Sequence, residues 1–140
     1  MIHYSFQEID TLAKILAEKI EAKHPQRHIL TFTRGGVWAS AFVVNHLSWK
    51  PMVLAIDPTS VIDSQLESIA EHHVVFLDDI LDTGNTLNTF EQGYNCEFSS
   101  YFLIDKQTQH RIYTPTDCSA AQVLTTEDWL VFPWEELSTI

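Results

Sequence analysis

The chain of 140 residues, 45% of them hydrophobic, is long enough to bury one substantial core and too short for several domains. Its 8 Lys and Arg stand against 19 Asp and Glu, and the resulting net charge of −11 excludes a broad electrostatic grip on nucleic acid or on an anionic membrane. Cys96 and Cys118 are too few for a secreted disulfide scaffold and lack the paired spacing of a zinc site, so a reducing cytoplasm and two inert thiols are expected.

The opening MIHYSFQEID reads as the start of a capped helix rather than as a positive segment followed by an apolar one, so no signal peptide is expected. Ser5 and Glu8 form a capping-box pair, and Phe6, Ile9, Ala13, Leu16 and Ile20 recur at helical spacing until His24-Pro25 stops the pattern. Ile29 to Thr33 is a compact apolar and β-branched run ending in Arg34-Gly35-Gly36, after which Val37, Ala41, Val44 and Leu47 restart a helix. Met52 to Ile56 fits a second buried strand. His73 to Leu77 fits a third, flowing into Asp78-Asp79 and then Thr83-Gly84 before a helix near Thr86 to Phe90. Ser99 to Ile104 fits a fourth. This alternation predicts an α/β fold, one domain with a mainly parallel sheet flanked by helices on both faces. The longest apolar runs, such as Val74 to Leu77, fall far short of the ~20 residues of a membrane-spanning helix, so no membrane partner is expected.

Two connections resist this simple reading. Asp57 to His72 reads as a mobile lid, whereas Lys106 to Asp128, with Pro115 and few periodic apolar positions, reads either as a cover over a site or as a surface excursion. Ligands of open α/β sheets bind beyond the carboxyl ends of the strands, and the turns Arg34 to Gly36 and Asp82 to Thr86 both fall there. The two turns are expected to face one site.

Val74 to Leu87, VVFLDDILDTGNTL, is a buried strand that delivers two adjacent carboxylates, then a third, then a small-residue turn into a helix. Thr83, Gly84, Asn85 and Thr86 place free N–H groups, hydroxyls and the positive end of a helix dipole together, a combination suited to a phosphate monoester. Gly84 lets the chain approach such an anion closely. Asp78 and Asp79 point apart if both stay extended, so one can take sugar hydroxyls and the other a hard cation such as Mg²⁺. An acidic strand end can also be a mere solvated edge, but the third carboxylate and the phosphate turn follow at once. No Ser-His-Asp or Cys-His nucleophile pattern, G-x-G-x-x-G or P-loop stands out, and the adjacent His72 and His73 lack the spacing of a helical zinc pair.

The run VVFLDDILDTGNT resembles the phosphoribosyl pyrophosphate signature of the type I phosphoribosyltransferases, a hydrophobic strand, two acids and a D-T-G-x-T turn. FTRGGVWAS, from Phe32 to Ser40, is similar to the S/T-R-G-G turn of the xanthine, guanine and hypoxanthine branch, and EDWLVFPWE, from Glu127 to Glu135, resembles that branch's ending. The resemblance implies one domain over residues 1–140, with 105–135 contributing a C-terminal hood over the base. It implies transfer of a phosphoribosyl group from phosphoribosyl pyrophosphate to a 6-oxopurine, with Mg²⁺ as cofactor and a homodimer or homotetramer as the assembly. Carried over residue by residue, Arg34 and Gly35 hold pyrophosphate, across a Thr33-Arg34 peptide that is often cis in the family. Asp78 and Asp79 hold the ribose hydroxyls and Mg²⁺, and Thr83, Gly84, Asn85 and Thr86 hold the 5-phosphate. Asp82 is implied as the catalytic base or charge stabiliser near the purine, Lys106 reads its 6-oxo group, Trp129 stacks on it and Leu130 offers backbone contacts to its edge. For Trp129 core burial is the competing reading, and Trp134 is expected to be structural.

The sequence departs from this family in one place. After the second strand the family carries a Ser-Tyr pair and a basic residue that close over pyrophosphate, and Asp57 to His72, DPTSVIDSQLESIAEH, has neither, with Thr59-Ser60 near where the pair falls. This departure keeps open a second function, a non-catalytic module that binds phosphoribosyl pyrophosphate or a nucleotide.

Overall fold

A computed structural model describes residues 1–137. Its elements in chain order are β1 (Ile2–His3), α1 (Phe6–Lys23), β2 (His28–Phe32), α2 (Gly35–Val44), β3 (Val53–Ile56), α3 (Asp63–Glu71), β4 (Val74–Leu81), α4 (Asn85–Tyr94), β5 (Ser100–Gln107), β6 (Cys118–Thr125), β7 (Leu130–Val131) and α5 (Pro133–Leu137). Ser5 caps α1 as the sequence predicts, its hydroxyl accepting from the Glu8 N–H at 3.1 Å while the Glu8 carboxylate accepts from the Ser5 N–H at 3.0 Å. The α/β expectation holds: five parallel strands run in the order β3-β2-β4-β5-β6.

Helices cover both faces because each strand of the sheet's middle is apolar on both sides. On one face Ile9, Leu16 and Ile20 of α1 and Ala39 and Val43 of α2 pack on Ile29, Val75, Leu77 and Leu103. On the other, Leu87 and Phe90 of α4 meet Leu30, Phe32, Phe76 and Phe102. Burying any one of these large side chains stabilises the fold by about 1.5–3 kcal/mol. From β2 the chain moves outward to β3, then returns to β4 on the far side of β2, so the strand order reverses between β2 and β4. That reversal opens a crevice beyond the carboxyl ends of these two strands, and both glycine turns lie at it.

Four elements differ from the sequence reading. Met52 to Ile56, read as a buried strand, gives β3 at the edge of the sheet, with Val53 and Ala55 exposed. Asp57 to His72 is not a free lid, since α3 forms within it, with Leu66 and Ile69 resting against the second core cluster. Lys106 to Asp128 contains β6, the edge strand of the sheet. Its CSAAQVLT is small and polar because an edge strand buries little, which is why the apolar pattern is faint. Lys106 itself lies inside β5 rather than two residues beyond it. Of the residues read as a hood, 105–107 and 118–125 therefore belong to the main sheet. A separate two-stranded parallel sheet pairs Ile2 with Leu130 and His3 with Val131. Between β5 and β6 the chain returns along the sheet without a helix, through residues 108–117.

Glu91 of α4 is 3% exposed, and the Tyr113 hydroxyl of this return segment donates to its Oε2 at 3.4 Å. Burial first, and the nearby Glu97 charge second, push its carboxyl up to about 7. A folded-state value above the unfolded one favours folding at low pH, and this contribution is lost as pH rises from about 4.5 to about 7. Glu91→Gln is thus expected to leave the melting temperature unchanged at pH 5 and to raise it by about 3 °C at pH 8, read by thermal unfolding at both pH values. Equal shifts at the two pH values would show that Glu91 does not titrate in this range. Cys118 is pushed up to about 11 by burial and then by Asp105, and Cys96 is raised by burial, so both thiols are weak nucleophiles. Among the described residues no helix is long and apolar enough to cross a membrane.

Candidate active site

β4 runs on through both aspartates to Leu81, past its last pairing with β2 at Phe76. Leu77 and Ile80 pack against the same core cluster although they are three positions apart, an odd spacing, so the alternation of faces slips by one across Asp78 and Asp79. The expectation that the two carboxylates point apart is thereby corrected. Both reach the first turn of α2: a Cβ on Gly36 would come within 2.8 Å of Asp78 Oδ1, and one on Gly35 would collide with Asp79 Oδ2. Each carboxylate curls onto the next backbone group, Asp78 Oδ1 accepting from the Asp79 N–H at 2.9 Å and Asp79 Oδ1 from the Ile80 N–H at 2.8 Å. Desolvation, then the charge of Asp79, raises Asp78 well above the usual carboxylate range. Desolvation also raises Asp79, partly offset by hydrogen bonds from Asp78 and the Ile80 N–H.

Two clefts meet at these acids. One, of about 230 Å³, is lined by Asp78, Asp79, Asp82 and the turn from Thr83 to Thr86. The other, of about 730 Å³, is lined by Arg34, Gly35, Trp38, Asp79 and the tail residues Trp134, Glu135 and Leu137. Asp79 belongs to both, so an extended anion can run from the Thr83–Thr86 turn to the Arg34-Gly35 turn past its carboxylate. The Thr33-Arg34 peptide between β2 and α2 is cis. Among the described residues no group of three or more His, Cys, Asp or Glu side chains converges, so a cation held by Asp78 and Asp79 takes its other ligands from elsewhere.

α4 starts at Gly84, whose φ of 80° suits glycine, and the Thr83 hydroxyl accepts from the Asn85 N–H at 3.2 Å. What Gly84 admits at close range is the Tyr113 carbonyl, with which a Cβ would collide. The Thr83 carbonyl in turn accepts from the N–H groups of Ile112 at 2.7 Å and Tyr113 at 3.0 Å, so the return segment braces the turn from outside. The remaining N–H groups of the first turn of α4 have no partner within the helix and stay available to an anion.

At the end of β4 the Asp82 carboxylate faces Lys106 of β5, with Oδ2 3.9 Å from Nζ. Lys106 is 5% exposed, and a buried ammonium beside a half-exposed carboxylate is a pair poised to read a polar edge. Trp129 is 64% exposed and lines neither cleft, so it is not the core residue of the competing reading. The carbonyls of Trp129 and Val131 accept from Ile2 and Tyr4, each at 2.9 Å, so strand alternation turns the backbone groups of the intervening Leu130 away from β1. Trp134 is structural, stacked between Trp38 at 6.0 Å and Phe132 at 4.9 Å between ring centroids. Sequence reading passed over Arg111. Its guanidinium donates to the carbonyls of Asp82, Leu81 and Lys106 and to the Asp105 carboxylate, and backbone acceptors leave no trace in a sequence.

No family model matches the sequence, and no curated protein does either. Solved structures do match. A hypothetical protein from Neisseria gonorrhoeae with bound ppGpp superposes with a TM-score of 0.75 at 18% identity, over 96% of this chain and 88% of that one. A purine phosphoribosyltransferase from Pyrococcus horikoshii gives 0.70 at 23% identity, over 95% and 93%. The xanthine-guanine-hypoxanthine phosphoribosyltransferase of Helicobacter pylori gives 0.67 at 20% identity, over 99% and 95%. With its strand order, its switch-point clefts and these neighbours, the chain has the type I phosphoribosyltransferase fold.

Proposed function

We propose that this protein transfers a phosphoribosyl group from phosphoribosyl pyrophosphate to a 6-oxopurine (xanthine, guanine or hypoxanthine), releasing pyrophosphate and a nucleoside monophosphate. The observation that carries this reading is the Asp82–Lys106 pair, 3.9 Å apart beside the phosphate turn. A protein that only held phosphoribosyl pyrophosphate has little need of it.

The turn from Thr83 to Thr86 holds the 5-phosphate through backbone N–H groups and hydroxyls. Arg34 and the Gly35 backbone hold the pyrophosphate in the larger cleft, and Asp78 and Asp79 between them face the ribose. Two crowded carboxylates of raised proton affinity, with no third His, Cys, Asp or Glu grouped with them among the described residues, would suit Mg²⁺, which usually keeps several waters. Asp78 and Asp79 would hold the ion, and its charge would there offset that of the leaving pyrophosphate. Lys106 takes the purine 6-oxo group, Leu130 its edge through the backbone, and Trp129 supplies a ring to stack on. Asp82 accepts the proton from the purine nitrogen as that nitrogen attacks the anomeric carbon, and its charge favours the oxocarbenium-like transition state over the ground state. The enzyme acts in the cytoplasm as a homodimer or homotetramer.

A second reading, a non-catalytic nucleotide-binding module, is favoured by the segment from Asp57 to Glu71, which holds α3 and neither Lys nor Arg where the family closes over pyrophosphate. The Neisseria neighbour with its ppGpp agrees with it. Pyrophosphate release from phosphoribosyl pyrophosphate and Mg²⁺ with xanthine, guanine, hypoxanthine and adenine separates the two. Release with an oxopurine, abolished by EDTA, is expected. Binding of phosphoribosyl pyrophosphate without release on any base would establish the module instead.

A further inference from the structure

The β4–β5 ladder ends at Leu81 opposite Asp105, one residue short of the two side chains that face each other, Asp82 and Lys106. No strand pairing therefore sets the distance between those two residues. Arg111 does so from outside both strands. Its Nε donates to the Asp82 carbonyl at 2.6 Å, and its Nη2 donates to the Lys106 carbonyl at 2.8 Å and the Leu81 carbonyl at 3.3 Å, as well as to the Asp105 carboxylate. Nη1 donates to the Thr114 hydroxyl at 3.0 Å, which ties the guanidinium back to its own segment. We propose that Arg111 is the positioning residue of the base-contacting pair, holding Asp82 and Lys106 at their working separation by gripping the backbone carbonyl of each.

Gripping a carbonyl fixes the plane of that peptide and with it the root of the side chain. A planar fork of fixed geometry can reach two neighbouring strand ends at once, whereas a lysine offers a compact charge on a flexible stem. The Asp105 carboxylate beside it, 15% exposed at the side chain against 17% for Arg111, neutralises the guanidinium, so the grip adds no net positive charge next to Lys106. The guanidinium spends its donors on protein acceptors and lines neither cleft. It acts through Asp82 and Lys106, not on a ligand.

This inference rests on the reading of Asp82 and Lys106 as purine-contacting groups, and its test separates the two. Dissociation constants for phosphoribosyl pyrophosphate and for GMP, IMP and XMP are measured by calorimetry on the wild-type protein, Arg111→Gln and Arg111→Lys. The expected result for both variants is a purine-nucleotide Kd raised tenfold or more with the phosphoribosyl pyrophosphate Kd within threefold, because the Thr83–Thr86 turn keeps its own bracing by Ile112 and Tyr113. Millimolar guanidinium is expected to recover part of the lost nucleotide affinity in Arg111→Ala. A general loss of structure would raise both constants in step, and that result, or constants that do not move, overturns the positioning role alone. A wild-type protein that binds phosphoribosyl pyrophosphate but no purine nucleotide overturns the proposed function and the positioning role together. Should Arg111→Gln fail to fold, Arg111→Lys carries the same comparison.

Discussion

Replacing Asp82 with Asn is expected to lower turnover about 10²-fold or more while leaving the affinity for phosphoribosyl pyrophosphate within about twofold. The amide has the shape of the carboxylate but can neither take the purine proton nor carry the charge that the oxocarbenium-like transition state calls for. In the proposed enzyme, binding of the phosphoribosyl part is spared because the 5-phosphate would sit at the Thr83–Thr86 turn and the pyrophosphate in the cleft lined by Arg34 and Gly35, on the far side of Asp79. Steady-state kinetics with a saturating oxopurine, paired with calorimetry for phosphoribosyl pyrophosphate, reads both quantities. Unchanged turnover would remove Asp82 from the mechanism, and a parallel loss of binding would reduce it to a support of the turn.

Gly36→Ala is expected to destabilise the protein by about 3 kcal/mol, a fall in melting temperature of about 10 °C. The added methyl would collide with the Thr31 hydroxyl and stand 2.8 Å from Asp78 Oδ1. Thr31 cannot yield cheaply, since it is fully buried and its hydroxyl donates to the Leu77 carbonyl at 2.6 Å. A shift of α2 away from β4 relieves both contacts, and in the proposed enzyme it would separate Arg34 and Gly35 from Asp79 and weaken phosphoribosyl pyrophosphate binding as well. Gly93→Ala is the control. It lies inside α4 with nothing within 4 Å of the new methyl, so helix propensity predicts a gain of about 1 kcal/mol. Thermal unfolding of the two variants should give opposite signs, and a neutral Gly36→Ala would mean that the turn at α2 is looser than its contacts imply.

Elements with an apolar sequence were legible, β3 among them although it lies at the sheet edge, and those with a polar or small-residue sequence were not. α1 announced itself through Ser5, Glu8 and the stripe from Ile9 to Ile20, and β2, β4 and β5 through runs such as HILTF and VVFL. α3 has no fully buried residue, only Leu66 and Ile69 resting on the core, and β6 is an edge of serine and alanine, so both passed for loops. β1 is two residues long and stands only because β7 pairs with it. That the turn from Thr83 to Thr86 and the acids Asp78, Asp79 and Asp82 share one cleft was legible because their residue types suit polar chemistry rather than packing. The side-chain directions of Asp78 and Asp79 were not, since a slip in strand alternation depends on the neighbouring turn. Arg111 was illegible for a related reason: it is recognised by what its hydrogen bonds end on.

The parallel pair of β1 and β7 joins Ile2 to Leu130. During synthesis the first of these residues leaves the ribosome long before its partner exists, so the emerging chain can form α1 and begin assembling β2, β3 and β4 while the N-terminal strand has nothing to pair with. The segment bearing Trp129 and Leu130 is positioned last, by a contact that spans nearly the whole chain. In the proposed enzyme, a nascent protein would acquire its grip on phosphate before it could acquire its wall for the base.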